Sequence, residues 1–262
     1  MVLLLAALLI AAAPTPAPSP SPDPCAGLLN QLNRPTVGYS TCAAKPRAVI
    51  LEAGYEHLWG GNASDATSQA QVPQGFIRFG IAPRLEVDFI GPNLQAVGGI
   101  TGLTDSGLGF KYELPPSAKA TFALDGLYTS PNGAAAFTAG NASYTLNLDA
   151  AYQLTPATSV ASTFAFTATG GFNGAGIHSR YGTFTPSVLV LEQLGSVTQA
   201  YVEYVDDSRV SPDIGNRAFM DVGVQRLFGD GLELDVEFGH ALTGDPALRF
   251  DYVGAGLGIL IH

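Results

Sequence analysis

Acidic residues recur at every second position along Leu232-Glu-Leu-Asp-Val-Glu-Phe238, so Glu233, Asp235 and Glu237 share one face opposite Leu232, Leu234, Val236 and Phe238. The same spacing sets Arg84, Glu86 and Asp88 against Leu85, Val87 and Phe89, and Lys111 and Glu113 against Phe110, Tyr112 and Leu114. Glu52, Arg78, Asp125, Asp149, Glu203 and Asp221 occupy equivalent polar faces. Carboxylates dominate this set, and its only bases are Arg78, Arg84 and Lys111. Two kinds of chemistry are open to it. Opposite charges on adjacent strands can form structural ladders, at roughly 0.2–1 kcal/mol per pair. Alternatively the excess acid lines a hydrated passage that favours cations over anions. A dry interior is disfavoured, because a carboxylate buried without a partner is costly.

Signals for catalysis are poor. His178-Ser179 and Asp206-Asp207 fall in two expected loops, while His57, His240 and His262 are scattered, and no nucleophile–base spacing emerges. Asp206, Asp207 and Asp213 are candidates for a divalent cation, but loops gather acids for solubility anyway. There is no Gly-rich phosphate loop, cysteine cluster or metal-binding helix motif, so neither cofactor nor metal is expected. Asn62-Ala-Ser64 and Asn141-Ala-Ser143 match the glycosylation acceptor pattern, which is commonplace by chance.

Alternation with period two is the signature of strands. It recurs near residues 48–58, 72–82, 84–91, 105–114, 118–129, 142–153, 157–168, 183–194, 196–205, 217–228, 231–241 and 250–261. Connections between these segments alternate between short turns, such as Pro83, Gly195 and Gly229-Asp230, and long loops, such as 92–104 and 169–182. That alternation fits up-and-down strands crossing one bilayer, with short periplasmic turns and longer outer loops; a Greek-key sandwich has no reason to maintain it. Tyr55, Tyr128, Tyr144 and Tyr204 fall at the loop ends of apolar faces, and Tyr112, Tyr152 and Phe228 at the turn ends. Tyr144 and Tyr152 are separated by about 20 Å along the normal at ~3.3 Å per residue and ~40° tilt, close to an apolar membrane band. Closure removes the unpaired edges that hydrocarbon cannot satisfy. The expected fold is therefore an all-β, up-and-down antiparallel transmembrane β-barrel of about twelve strands.

Residues 1–17 read as a signal peptide, an apolar run ending in small residues, although no Lys or Arg precedes it. Residues 18–44 read as a Pro-rich linker followed by a loop between Cys25 and Cys42, and residues 45–262 as the barrel. In an exported chain, two such cysteines point to a disulfide acting as a structural staple. Asp23-Pro24 does not suit lipid modification of Cys25, and two thiols without neighbouring histidines do not complete a metal site. Twenty-two acidic against 12 basic residues, with a net charge of −10, exclude the basic stripe that nucleic acid requires. Outside the N-terminus no apolar run approaches the roughly 18 residues of a transmembrane helix.

Ala48-Val-Ile-Leu-Glu-Ala-Gly-Tyr55, Gln74-Gly-Phe-Ile-Arg-Phe-Gly80 with Arg84-Leu-Glu86, and Thr104-Asp-Ser-Gly-Leu-Gly-Phe-Lys-Tyr112 resemble segments of a known family. It comprises the transporter-like outer-membrane β-barrels named for the meta pathway of phenol degradation, and the paired cysteines are similar to those of some members. The resemblance covers roughly residues 45–262. The chain departs from outer-membrane barrels that finish on an aromatic residue, since it finishes Ile259-Leu-Ile-His262. The resemblance implies a Gram-negative outer-membrane location, contact with lipid and lipopolysaccharide, delivery by the barrel assembly machinery, and small solutes that are hydrophobic or aromatic. The leading expectation is a channel with an acidic lumen; the alternatives are a non-conducting structural or adhesive barrel and, third, an outer-membrane hydrolase.

Overall fold

The computed structural model describes residues 23–60, 67–173, 175–244 and 249–261. The expected signal peptide (1–17), the first part of the linker (18–22), the Asn62-Ala-Ser64 pattern and His262 lie outside the described residues. Regular structure among them is entirely strand: β1 (Val49–Gly60), β2 (Thr67–Val72), β3 (Phe76–Ala82), β4 (Leu85–Ile90), β5 (Leu94–Val97), β6 (Ile100–Leu103), β7 (Ser106–Glu113) and β8 (Ala120–Ser130). The remainder are β9 (Ser143–Gln153), β10 (Thr158–Phe172), β11 (His178–Gln193), β12 (Thr198–Asp207), β13 (Arg217–Phe228), β14 (Leu232–Ala241) and β15 (Phe250–Ile261).

Twelve of these strands close a ring among the described residues, in the order β1, β3, β4, then β7 through β15, with β15 pairing back onto β1. All pairings are antiparallel, and Val49 faces Ile261 at one end of the seam while Gly60 faces Phe250 at the other. The remaining three extend the wall on the loop side. The first half of β1 pairs with β3 and its second half with β2, which continues through β5 to β6. Pro73, which has no N–H for the ladder, and Gln74, at a φ of 45°, interrupt what the alternation reads as one strand over 72–82.

The outward face is apolar and exposed. Phe110, Phe122, Leu146, Leu148, Phe166 and Val222 are each 43–49% accessible, a surface that only lipid or a partner would cover. Val236 is the least exposed position of its face, at 8%, and lies between its register partners Val224 and Ala255. Tyrosines edge the belt as the spacing predicts: Tyr128 and Tyr144 are cross-strand partners with ring centroids 5.4 Å apart. At the opposite end Tyr112, Tyr152 and Phe228 are exposed. Amphipathic rings at both rims suit a bilayer's two interfaces.

The wall differs from the sequence expectation on the loop side. The expected loop 169–182 is mostly strand, since β10 and β11 continue to Phe172 and His178. Thr167-Ala-Thr-Gly-Gly171 is small and polar because it stands beyond the belt in water, while its backbone still completes the ladder. The expected loop 92–104 folds as the β5–β6 hairpin, turned by Gly98 and Gly99, both at positive φ.

Candidate functional site

Alternation that turns apolar residues outward necessarily turns the acids inward. Glu52, Glu86, Asp88, Glu113, Asp125, Asp149, Glu203, Asp221, Glu233, Asp235 and Glu237 all lie on the inner face and are buried, together with Arg78 and Lys111. Arg84 is the exception and corrects the expectation that it faces the interior. It occupies the two-residue β3–β4 turn with Pro83 at a φ of 66°, and its carbonyl accepts from Glu113 N. A tight turn at that point outranks the alternation, because Pro83 favours the first corner of a turn.

A segment of the chain itself meets several of the inner acids, Glu52, Glu86, Glu113 and Glu203 among them. Residues 23–44, read from the sequence as part of the linker and stapled loop, enter the ring from its turn end and fold back on themselves inside it. The Cys25–Cys42 disulfide closes this plug across a separation of 17 residues. Leu28, Leu32 and Ala44 seat it by packing with Ile50, Leu227 and Leu260 near the turn rim.

Backbone amides of the plug meet wall carboxylates one after another. Glu52 Oε2 accepts from Asn33 N at 2.9 Å and Arg34 N at 2.7 Å. Glu203 takes Val37 N on Oε2 and Gly38 N on Oε1, both at 2.8 Å. Ala43 N donates to Glu113 Oε2 at 3.2 Å and Ala44 N to Glu86 Oε2 at 2.5 Å. Tyr39 N donates to Thr163 Oγ1 at 2.8 Å, and that hydroxyl donates to Asp149 Oδ1 at 2.6 Å. Hydrogen bonds to an ionised acceptor contribute about 1.5–3 kcal/mol each, so the series is a substantial anchor.

The bases reinforce the same contact. Arg78 spans Glu86 and Glu52 through Nε at 2.9 Å and Nη1 at 3.1 Å, and donates to the plug carbonyls of Gln31 and of Cys42, the latter at 2.8 Å. Lys111 Nζ reaches Ser40 O at 2.6 Å, Asn33 Oδ1 at 3.0 Å and Asp125 Oδ1 at 3.5 Å. Arg34 adds a cation from the plug, 3.2 Å from Asp235 and 3.7 Å from Glu237. Burial opposes the charge on that guanidinium, yet Asp235 and Glu237 offset it and raise its pKa above the ordinary value. The inner acids are therefore partly ladders, as the sequence allows, and partly receptors for a segment that the sequence does not place there.

Beyond the plug tip lies a cavity of about 180 Å³, floored by Val37 and Tyr39 and walled by Leu127, Thr145, Asn147, Thr163, Ala165, Thr185 and Ser187. Enclosure, with the Asp125 and Asp88 carboxylates next, pushes the Tyr39 phenol above its ordinary pKa. A second cleft, of about 480 Å³, opens at the loop rim between the β5–β6 hairpin, residues 136–139 and the end of β10. Its segment 131–142 is pinned by Asp105, whose two oxygens accept from Gly133 N and Ala139 N at 2.8 Å. Two of the residues considered for catalysis, His178 and Asp207, have structural partners. His178 Nε2 lies 2.8 Å from Ala139 O, and Asp207 pairs with Arg217 at 2.6 Å.

No family model matches the chain, and no curated protein matches it. Solved structures do resemble it. The COG4313 outer membrane channel from Pseudomonas putida F1 superposes with a TM-score of 0.67 at 13% identity, over 87% of this chain and 100% of that one. The NanC porin gives 0.56 at 11% identity, over 80% and 98%. The KdgM porin in complex with disordered oligogalacturonate gives 0.55 at 11% identity, over 81% and 99%. The fold is that of outer-membrane porins and channels, in agreement with the apolar belt.

Proposed function

We propose that the chain is a Gram-negative outer-membrane channel for small solutes, with an acidic lumen closed from the turn end by residues 25–44. The observation that carries this reading is the pairing of wall carboxylates with plug amides. Glu52, Glu86, Glu113 and Glu203 all hold backbone N–H groups of a segment whose covalent link to the wall, among the described residues, is its own continuation into β1. Such contacts can be exchanged for water without breaking the wall, whose strands hydrogen-bond one another independently of the plug. With the plug withdrawn, the eleven inner acids outnumber the inward bases among the described residues, Arg78, Lys111 and Arg217, so the lumen attracts cations and repels anions. The oligogalacturonate in complex with the KdgM porin is a chain of carboxylate-bearing sugars, and this interior would repel such a chain. The inner wall along β8–β11 is mixed, with Asp125, Thr145, Thr163 and Thr185 beside Leu127 and Ala165, so it does not single out the expected hydrophobic or aromatic solutes.

Planar-bilayer recording on the full chain tests the proposal. Wild type is expected to open rarely, and Glu203→Gln, which loses the charge holding Val37 and Gly38, to open roughly tenfold more often. Reversal potentials in a KCl gradient should report cation preference. Absence of steps in both proteins at every voltage, or anion preference, overturns the reading; the first result favours a structural or adhesive barrel.

A further inference from the structure

We infer that the cavity above the plug is a binding site for a short organic cation with N–H donors, an alkyl diamine or polyamine, and that such cations are the solutes of the channel. The second half of this inference rests on the channel reading; the binding site does not.

The cavity wall is divided in a way that suits such a molecule. Val37, Leu127 and Ala165 offer apolar surface for a methylene chain, while Thr145, Thr163 and Thr185 offer hydroxyl acceptors. Asn147 is 2% exposed, lines the cavity, and its Oδ1 has no hydrogen-bond partner among the described residues. An unsatisfied buried acceptor of that kind calls for a donor from outside the chain. Behind this wall lie carboxyl groups whose oxygens have no hydrogen-bond partner among the described residues. Asp125 is the register partner of both Asn147 and Lys111. Asp88, 1% exposed on the inner face of β4, has neither carboxylate oxygen hydrogen-bonded among the described residues. The bases nearby are already engaged: Arg78, the register partner of Asp88, is held by Glu86 and Glu52, and Lys111 is held by Asn33, Ser40 and Asp125. Lys111 also lies 5.5 Å from the centre of the Tyr39 ring, which marks that face as a place where an ammonium group is tolerated.

Other ligands fit less well. A bare divalent ion needs several close ligands, and no group of three His, Cys, Asp or Glu among the described residues could hold one. An anion would face Asp88, Asp125 and Asp149 with no free base. A neutral polyol would satisfy the hydroxyls and leave the acid excess untouched. The volume, about 180 Å³, corresponds to roughly six waters at ~30 Å³ each, which suits a four- or five-carbon diamine.

Calorimetric titration of the full chain in detergent with putrescine tests this, with tetramethylammonium, a neutral polyol and succinate as comparators. Putrescine is expected to bind at least about tenfold more tightly than tetramethylammonium, which has charge without N–H donors, and the other two not at all. Asp88→Asn and Asn147→Leu should each weaken putrescine by roughly tenfold, with altered electrophoretic mobility before boiling confirming that each variant is folded. Equal binding of tetramethylammonium, tighter binding of the polyol, or indifference to Asp88→Asn overturns the inference. Channel activity without a response to putrescine defeats this inference alone, whereas putrescine binding without conductance defeats the channel reading alone.

Discussion

Gly54 and Gly256 are register partners across the β1–β15 seam, and the guanidinium of Arg34 lies in the slot that their missing side chains leave. A Cβ on Gly256 would stand 2.5 Å from Arg34 Nε, and one on Gly54 would meet Cζ of the same residue. The seam that closes the ring is thus also where the plug's cation is admitted, within reach of Asp235 and of Gln74 Oε1 at 2.5 Å.

Filling that slot should loosen the plug while sparing the wall. Gly256→Val adds a β-branched residue that strands accept, so heat-modifiable migration should persist. The open fraction in bilayers should rise roughly tenfold as Arg34 loses its place beside Asp235. An unchanged open fraction in a folded variant would mean that Arg34 does not hold the plug.

Cross-linking should matter to the plug more than to the barrel. The loop closed by Cys25 and Cys42 is of a length for which chain entropy predicts about 3 kcal/mol of stabilisation. Cys25→Ser with Cys42→Ser is expected to leave belt and ring intact, and to increase both channel opening and protease cleavage within residues 25–44. Cleavage rates matching those of wild type would contradict the plug's dependence on the disulfide.

Alkaline pH should favour withdrawal. The Tyr39 phenol is raised above its ordinary value of 10.0 when the plug is in place, so the seated state holds its proton more tightly than the withdrawn state. The resulting stabilisation is fully present below the ordinary value and is lost progressively as pH rises above it. Open probability measured from pH 8 to pH 11 should climb beyond about pH 10, and Tyr39→Phe should remove that increment. Equal climbs in the two proteins would assign the effect to other groups.

The wall was legible because alternation has a single physical cause. Lipid outside and polar groups inside impose period two on β14 as strictly as on β4, and tyrosines such as Tyr128 and Tyr144 mark where the belt stops. The β5–β6 hairpin carried its own signal in Gly98-Gly99, a two-residue turn flanked by Leu94-Gln-Ala-Val97 and Ile100-Thr-Gly-Leu103. The extension of β10 was harder to see, since polar strands in water resemble loops until their partners are known. Arg84 illustrates the limit of alternation beside a proline turn. The plug had no periodic signature at all. Its only trace was indirect: eleven inward acids with so few bases required N–H donors from elsewhere, and Leu28 and Leu32 needed a dry surface that a linker in solvent would not offer.

Only Lys45, Pro46, Arg47 and Ala48 separate the last seated residue, Ala44, from the first residue of β1. A stopper on so short a leash never diffuses away. Its return is an intramolecular event at an effective concentration in the millimolar range, so reclosure should be fast, first order and indifferent to how many copies share the membrane.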